Sequence, residues 1–254
     1  MARKPADPAQ RELLLLRLLP NLVSILALCA GLTAIRFALA GNFAMAILLI
    51  GTAAALDGLD GRLARMLKSE SAIGAELDSL CDFVNFGVTP ALVLYMWGLK
   101  AETSLGWIAV LVYAVCCMLR LARFNVGSRA VGEAAEKTVF IGVPSPAGAM
   151  LALMPMYLVF ALNEALGHTS TLPPALVALW MVGIGGLMIS RVRTPSLKGI
   201  TIAADYARYA LVGSVMVVAA LLTYPWVTLL ALTLAYLAAI LWLFVRALRP
   251  VTPA

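Results

Sequence analysis

The sequence predicts an all-α integral membrane protein with about eight transmembrane helices and a short N-terminal helix on the membrane surface. Of its 254 residues, 63% are apolar and only 13% are charged, and the mean hydropathy is +0.96. A soluble domain carries roughly one-quarter charged residues, so this composition excludes that class. The apolar residues also fall into runs near the roughly 20 residues that cross the hydrocarbon core of a bilayer.

The N-terminal region precedes the first of these runs. Residues 1–10 are polar and contain two prolines, whereas residues 11–19 read RELLLLRLL. Charges interspersed with leucines suit a helix that lies on the membrane surface. A cleaved signal peptide is the alternative, but Arg17 interrupts its apolar region and no convincing small-residue cleavage site follows. We therefore expect residues 1–19 to form a tail and an interfacial helix.

Eight candidate spans follow Pro20. Their approximate bounds are 22–40, 43–60, 80–98, 104–124, 144–163, 172–190, 205–223 and 226–246. The first six belong to a core at residues 20–200, and the last two, with a short tail, occupy residues 201–254. No internal repeat and no linker rich in Pro, Gly or Ser divides the chain, so one helical membrane domain is the simplest interpretation.

The basic residues indicate how these spans are oriented. Seventeen of the nineteen Lys and Arg residues lie in segments on one side of the predicted membrane, with only Arg36 and Lys100 outside them. The positive-inside rule places this side, including both termini, in the cytoplasm. The net charge of +6 is therefore mainly an orientation signal, and we expect no nucleic-acid partner.

Four aspartates lie at membrane depth, in the stretch DGLDGRLARMLKSESAIGAELDSLCD at residues 57–82. Asp57 and Asp60 are three residues apart and Asp78 and Asp82 are four apart, so each pair falls on one face of a helix. Carboxylates in a bilayer are costly unless they are paired, hydrated or bound to metal, and they mark a functional site. A hydrated loop would explain the basic residues between the pairs but not the aspartates.

Two facing helices would bring these carboxylates together at the cytoplasmic end of the spans. Oxygen ligands suit hard divalent cations such as Mg²⁺, Mn²⁺ or Ca²⁺, and two ions fit if some aspartates bridge them. Two such ions would polarise phosphoryl oxygens. Gly61 and Gly74 would let a nucleotide approach the backbone, while Arg65, Lys68 and Ser71 offer partners for phosphates.

The same stretch resembles the signature of the CDP-alcohol phosphotransferases. Every fixed position is matched by Asp57-x-x-Asp60-Gly61-x-x-Ala64-Arg65, eight residues, and Gly74-x-x-x-Asp78-x-x-x-Asp82. The resemblance implies a helical bundle, a CDP-linked donor, two divalent cations and attack by an acceptor hydroxyl on the phosphate nearer the lipid, with CMP leaving. It also implies a homodimer, and we expect the cytoplasmic (inner) membrane of a bacterium as the location.

The family resemblance implies roles for individual residues. One metal would be held by Asp57, Asp60 and Asp78 and the other by Asp57, Asp78 and Asp82, with Asp82 also the general base. The contacts to the CDP moiety would come from Asn21, Ser24, Asp60, Gly61, Ala64, Arg65, Ser71 and Gly74.

Three further stretches resemble the phosphatidylserine synthase branch: LRLARFNV at 119–126, FIGVPSPAGA at 140–149 and SRVRTPSLKG at 190–199. The branch implies CDP-diacylglycerol as donor and L-serine as acceptor, with membrane lipids around the chain. The serine would be bound by residues among Arg120, Arg123, Asn125, Ser145, Arg191 and Lys198. Anchoring of helix ends is the alternative role for the arginines.

Two other functions stay open. The same chemistry could serve glycerol 3-phosphate, inositol phosphate or choline as acceptor. Intramembrane carboxylates also mark ion pathways, so a divalent-cation transporter is a rival from another class. The outer halves of the spans are apolar, which disfavours a path across the membrane.

Overall fold

The structure is a computed structural model that describes residues 8–67, 69, 71–101, 103–130, 139–167, 170–190, 193–195 and 204–248. These residues are helical except for one short pair of strands and the connecting turns. The elements in order are α1 (Pro8–Leu39), α2 (Phe43–Met66), α3 (Ala72–Asp82), a π-helical segment (Phe83–Val88), α4 (Thr89–Leu94), a second π-helical segment (Tyr95–Leu99), α5 (Thr103–Ala130), β1 (Val139–Ile141), α6 (Ser145–Ala152), α7 (Met154–Leu166), α8 (Pro174–Ile189), β2 (Arg193–Pro195), α9 (Ala204–Thr223) and α10 (Pro225–Leu248). The helical class predicted from composition is confirmed.

Five stretches among the described residues are helical, long and apolar enough to cross a membrane. They are Leu18–Leu39, Phe43–Met66, Ile73–Leu99, Ser104–Gly127 and Pro225–Arg246. A sixth span is possible if α6 and α7, bent by 41° at Leu153, are counted together. Shorter apolar helices, Pro174–Ile189 and Leu211–Thr223, occupy the positions of the sixth and seventh predicted spans, so the count of eight stays a prediction.

The N-terminal helix is longer than the sequence predicts. Helix α1 contains 32 residues and continues through Pro20, where we expected a boundary between a surface helix and the first span. Leucine is a strong helix former, and a proline interrupts only part of the backbone hydrogen bonding around it. Residues 11–19 are therefore part of the same helix as the first span, and their location at the membrane surface stays a prediction.

The chain forms two compact units, Met1–Trp97 and Gly98–Ala254. In the first unit, α1 packs along α2 with small side chains at the contact. Ala34 on α1 and Ala46 and Ala53 on α2 are fully buried. Small residues let the backbones of membrane helices approach closely, which is where such helices gain packing energy. This contact holds α1 against the helix that carries the first aspartate pair.

The π-helical segment Phe83–Val88 directly follows the second aspartate pair. Its Asn85 is 1% exposed and packs against Gly31 of α1, where any Cβ atom would collide with the Asn85 amide. The Thr89 hydroxyl is 3.5 Å from the Gly31 carbonyl oxygen, which accepts its hydrogen bond. Single π-helical turns change which face a helix presents and are common at functional sites. Gly31 therefore fixes the end of α3 against α1.

In the second unit, α5 packs along α8. A Cβ atom on Gly185 of α8 would lie 3.3 Å from the Cys116 Sγ and from the Tyr113 Cα of α5, so the two helices are in close contact. Tyr113, Met181 and neighbouring apolar side chains fill this part of the core.

A short antiparallel ladder joins β1 to β2, with Phe140 opposite Thr194. It brings together two of the stretches that carry the branch resemblance, 140–149 and 190–199. A ladder of three residues is too short to produce a periodic pattern, which is why the sequence did not predict it. Gly142 follows with φ +82°, and a Cβ there would lie 2.5 Å from the Met188 carbonyl oxygen and 3.0 Å from the Arg123 guanidinium. Both the positive φ and the lack of space for a Cβ atom therefore require glycine at position 142.

Candidate active site

Three aspartates from two helices meet in the first unit. Asp57 and Asp60 lie on α2, and Asp78 lies on α3. One carboxylate oxygen from each lies within 4.8 Å of the others. Asp60 is only 5% exposed, and the other two are half-buried. The expected approach of the two helix segments therefore occurs, and it gathers three of the four aspartates into one group.

Both aspartate pairs lie inside helices. Helix α2 continues six residues beyond the predicted end of its span to Met66, and α3 begins at Ala72, well before the predicted start at 80. The helices extend beyond the predicted spans because the predicted bounds followed hydropathy, which falls at the first charges. Backbone hydrogen bonding does not depend on hydropathy, and Leu, Ala, Arg and Met all favour the helix.

Asp82 is the last residue of α3, one turn after Asp78, and is half-buried. It is outside the group of three oxygens. All four carboxylates nevertheless act electrostatically on the thiol of Cys81, which lies beside Asp82 in the chain. Asp82 therefore belongs to the same acidic region, and its roles as metal ligand and base stay predictions.

The three-aspartate group has the chemistry of a site for a hard divalent cation. Bonds from Mg²⁺ or Ca²⁺ to oxygen are about 2.0–2.6 Å, so two ligands of one ion can be roughly 5 Å apart. The observed separations satisfy this limit. Three carboxylates this close repel each other, and a bound cation would relieve that repulsion. The residues present therefore fit a metal ion.

Helix α1 contributes Ser24, whose hydroxyl donates a hydrogen bond of 2.6 Å to the Oδ2 atom of Asp60. Ser24 is 5% exposed, and its hydroxyl also lies 3.2 Å from the carbonyl oxygen of Pro20. We predicted Ser24 as a contact to the CDP moiety. In the structure its hydroxyl orients a buried carboxylate of the acidic group.

Two further predicted CDP contacts, Ser71 and Gly74, lie at the beginning of α3, and a third, Asn21 of α1, is close to Gly74. Ser71 is the N-cap, and its Oγ accepts a hydrogen bond of 3.0 Å from the Gly74 amide. A Cβ atom on Gly74 would lie 2.9 Å from the Oδ1 atom of Asn21 and 3.0 Å from the Ser71 Oγ. A methyl group at 74 would therefore displace the Asn21 or Ser71 side chain, independently of any nucleotide.

Gly61 differs from Gly74. No heavy atom of the described residues, local helix backbone aside, lies within 4 Å of the position that a Cβ on Gly61 would take, and this residue is exposed. The Arg65 Nε donates a hydrogen bond of 3.0 Å to the Gly61 carbonyl oxygen, which leaves an exposed guanidinium above this surface. Ala64 is half-buried beside them, and Lys68 lies outside the described residues. The open backbone at Gly61 suits close approach by a ligand.

The residues predicted to bind serine lie in the second unit. Arg120 of α5 is 9% exposed, and its guanidinium donates a hydrogen bond to the hydroxyl of Ser145, which is fully buried at the start of α6. Arg123 instead donates to the carbonyl oxygens of Ile189, at 2.8 Å, and Ser190, at 3.4 Å, at the end of α8. Asn125 is half-buried. Two further predicted residues lie outside the described residues: Arg191 and Lys198.

One buried polar group of the second unit was missed by the sequence analysis. Tyr236 of α10 has a buried hydroxyl that makes no hydrogen bond with any residue the structure describes, and it interacts electrostatically with Arg120. A tyrosine in an apolar span is usually a packing residue. Tyr236 is 116 positions from Arg120 in the chain, so no sequence pattern could have linked the two residues.

The family model and the relatives that match this chain agree with each other. Residues 17–185 match the family model described as CDP-alcohol phosphatidyltransferase. A CDP-diacylglycerol–serine O-phosphatidyltransferase of Mycobacterium leprae is 41% identical over 233 residues, covering 91% of this chain and 75% of that protein. The protein of the same name from Mycobacterium tuberculosis is 39% identical over 91% of this chain and 79% of its own length. The one from Bacillus subtilis is 34% identical over 71% of this chain and 91% of its own.

Proposed function

The chain belongs to the CDP-alcohol phosphatidyltransferase family, and we propose that it transfers the phosphatidyl group of CDP-diacylglycerol to the hydroxyl of L-serine. The observation that carries this proposal is the 41% identity, over 91% of the chain, to a protein named for that reaction. The oxygen–oxygen distances within the aspartate group support it, because they suit a cation that binds phosphates. The chain is an integral membrane protein, so both the donor and the product can remain in the bilayer.

The reaction exchanges one bond to phosphorus for another. The serine oxygen attacks the phosphorus that carries the diacylglycerol, and the bond from that phosphorus to the bridging oxygen of CMP breaks. CMP leaves with the electron pair of that bond. Asp82 accepts the proton of the serine hydroxyl as general base, a role that suits a carboxylate within reach of the nucleophile.

Recognition of the donor falls to the first unit. The open backbone at Gly61 and the exposed guanidinium of Arg65 support contact with the diphosphate there. Ser71 caps α3, and its hydroxyl hydrogen is still available to a phosphate oxygen. The proposed CDP contacts are Asn21, Ser24, Asp60, Gly61, Ala64, Arg65, Ser71 and Gly74.

The acidic group would hold the metal. We assign Asp57, Asp60 and Asp78 to one divalent cation and Asp57, Asp78 and Asp82 to a second, with Mg²⁺ or Mn²⁺ as the ions and Ca²⁺ as a possible replacement. When bound, two such ions neutralise charge on the phosphoryl oxygens and on the leaving group. Ser24 keeps the Asp60 carboxylate in one orientation through its hydrogen bond.

Recognition of the acceptor falls to the second unit. Arg120 and Ser145, which are bonded to each other, bind the serine carboxylate. Arg123, Asn125, Arg191 and Lys198 complete the basic and polar surroundings of this site.

The proposed location is the cytoplasmic membrane of a bacterium. Seventeen of the nineteen basic residues fall on one side of the predicted topology, which supports a cytoplasmic location for both termini and the active site. Serine is then taken from the cytosol. A homodimer is proposed from the family resemblance.

The proposal is tested with purified protein in lipid nanodiscs that contain CDP-diacylglycerol. Labelled L-serine, glycerol 3-phosphate, inositol phosphate and choline are supplied in turn with Mg²⁺ or Mn²⁺. We expect one CMP for each phosphatidylserine formed, with serine strongly preferred. Preferred incorporation of another alcohol would contradict the acceptor. Cation flux through proteoliposomes without release of CMP would contradict the reaction itself.

A further inference from the structure

An apolar groove lies in the second unit between two groups of helices. Helix α8 packs on α5 and α6, whereas α7 packs on α10. The space between α8 and the α7–α10 pair is a cavity of about 440 Å³, whose walls include Leu158 of α7, Leu176 and Leu187 of α8, and Leu237 of α10. No side chain that the structure describes fills this space, although protein interiors are normally packed without voids of such a size.

The lining of the groove is almost wholly apolar. Trp180 is the one residue of the lining whose side chain carries an N–H group among the described residues, and that group donates a 2.9 Å hydrogen bond to the carbonyl oxygen of Leu151. An ordered water needs two to four polar partners, and a polar ligand needs at least some. The groove therefore suits an occupant that consists of hydrocarbon.

The length of the groove corresponds to one leaflet of a bilayer. Leu176 and Leu187 are eleven residues apart on α8, which is about 17 Å along the helix axis. The hydrocarbon core of a bilayer is about 30 Å thick, so the lipid chains of one leaflet extend about 15 Å. A single acyl chain of a membrane lipid therefore matches the groove in length.

The groove is open on the side of α8. Leu176 and Leu179 line it and are 52% and 69% exposed. Gly183 also lines it, and no heavy atom of the described residues, local helix backbone aside, lies within 4 Å of the position that a Cβ on Gly183 would take. The missing side chain at Gly183 thus leaves room in the wall of the groove, and a chain from the surrounding lipid can enter.

Positive charge lies beyond the Leu187 end of the groove. Arg123 is exposed, and its guanidinium donates hydrogen bonds to the carbonyl oxygens of Ile189 and Ser190, two and three residues after Leu187. Basic groups at the edge of a membrane attract anionic lipid head groups. This end of α8 therefore suits the phosphate of a phospholipid whose acyl chain lies in the groove.

We propose that the groove between α8 and the α7–α10 pair binds one acyl chain of a membrane phospholipid, which the protein retains as part of its structure. The chain takes the place of missing protein side chains and gains van der Waals contacts with the leucines around it. All residues of the groove belong to the second unit, whereas the acidic group belongs to the first. The inference goes beyond the proposed function and does not depend on it.

The test is Gly183→Leu, which puts a side chain into the groove. Full-length protein is purified in a steroid-based detergent, which has no alkyl chain that could replace the lipid, and retained phospholipid is counted by native mass spectrometry. We expect wild type to retain one phospholipid per chain and Gly183→Leu to lose it. Gly186→Leu is the matched control, because Gly186 lies on the same helix, has open space around it and does not line the groove. It should retain the lipid.

A second variant and a second measurement support the test. Leu237→Trp narrows the groove from α10 and should also release the lipid. Wild-type protein stripped of lipid should gain thermal stability from dioleoylphosphatidylglycerol but not from dihexanoylphosphatidylglycerol, whose chains are too short to fill the groove. This gain should be absent in Gly183→Leu and present in Gly186→Leu.

The outcomes that would overturn the inference are distinct. Equal retention of phospholipid by wild type, Gly183→Leu and Leu237→Trp would show that the groove holds no lipid chain. A changed oligomeric state of Gly183→Leu without loss of lipid would assign the groove to a second copy of the chain. An increased KM for CDP-diacylglycerol in that variant, with retained lipid unchanged, would assign it to the donor. The proposed function is tested separately, by formation of phosphatidylserine with the wild-type protein.

Discussion

The hydroxyl of Ser24 on α1 donates a 2.6 Å hydrogen bond to a carboxylate oxygen of Asp60 on α2, and both side chains are 5% exposed. The two residues are 36 positions apart in the sequence. This bond ties the first helix to the acidic group and fixes which way one of its carboxylates faces. Residues that hydrogen-bond to a metal ligand commonly increase the affinity of the site for the metal, although they do not contact the ion themselves.

Replacement of Ser24 by Ala should weaken metal binding. The variant leaves the Asp60 carboxylate without its oriented donor, and loss of such a partner typically reduces metal affinity about 10- to 100-fold. Activity should be recovered at higher Mg²⁺ or Mn²⁺, and titration of activity and of thermal stability against each metal measures the shift. Ser214→Ala is the control, because that hydroxyl bonds only to a backbone carbonyl of an exposed helix surface. A wild-type titration curve for Ser24→Ala would show that this bond does not affect the metal.

Replacement of Asp82 by Asn should abolish turnover while the donor still binds. Asn has nearly the same shape but cannot accept the proton of the acceptor, and general-base catalysis typically contributes about 10²–10⁴-fold. Single-turnover rates and equilibrium binding of CDP-diacylglycerol separate chemistry from binding. Glu164→Gln, at an exposed carboxylate of α7, is the matched control. Turnover near the wild-type level would mean that another group is the base.

The two signature glycines should respond differently to Ala. At Gly74 a methyl group would lie 2.9 Å from the Asn21 oxygen and 3.0 Å from the Ser71 oxygen, so Gly74→Ala should destabilise the protein by about 1–3 kcal/mol. At Gly61 no packing conflict exists among the described residues, so Gly61→Ala should keep the melting temperature and raise the KM for CDP-diacylglycerol. Thermal unfolding in detergent and donor kinetics measure the two effects.

Gly213→Ala serves as the control for both glycine variants, since Gly213 is exposed on α9 and has open space around it. Its melting temperature should be equal to wild type or slightly higher, because Ala favours the helix by up to about 1 kcal/mol. A Gly61→Ala enzyme with an unchanged KM for the donor would show that the nucleotide does not approach the backbone there.

The two arginines of α5 should separate into a binding role and a structural role. Arg123 donates to two carbonyl oxygens at the end of α8, so Arg123→Gln should lower thermal stability, by about 1 kcal/mol for hydrogen bonds at this exposed position. Its KM for serine should rise less than that of Arg120→Gln, because the Arg123 guanidinium is already bonded to these carbonyl oxygens. Arg120→Gln should instead raise the KM for serine by about tenfold or more, because a buried cation is lost. A large increase in the KM for serine in Arg123→Gln, with loss of thermal stability alone in Arg120→Gln, would instead assign serine binding to Arg123 and the structural role to Arg120.

Removal of divalent metal should stop the reaction and loosen the first unit. Without a cation the three clustered carboxylates repel each other, and that repulsion opposes the approach of α2 to α3. Chelation should therefore lower the melting temperature, and Mg²⁺ or Mn²⁺ should restore it. Asp57→Asn, which removes one charge from the group, should reduce this dependence. A melting temperature indifferent to chelator would contradict a metal at this position.

The sequence by itself determined the helical membrane class, the position of the acidic region and the family. These follow from information that is local along the chain: the share of apolar residues, the three- and four-residue spacings of the aspartates, and a signature at fixed intervals. Residues three or four positions apart lie on the same face of any α-helix. For that reason all four aspartates could be expected to meet, and the structure groups three of them, Asp57, Asp60 and Asp78.

Only the tertiary structure decided what those residues contact. It revealed that Ser24 bonds to Asp60, that Gly74 packs against Asn21, and that Arg120 bonds to Ser145. Each relationship joins residues between 25 and 53 positions apart, and it depends on how helices pack, which no pattern within a single helix records.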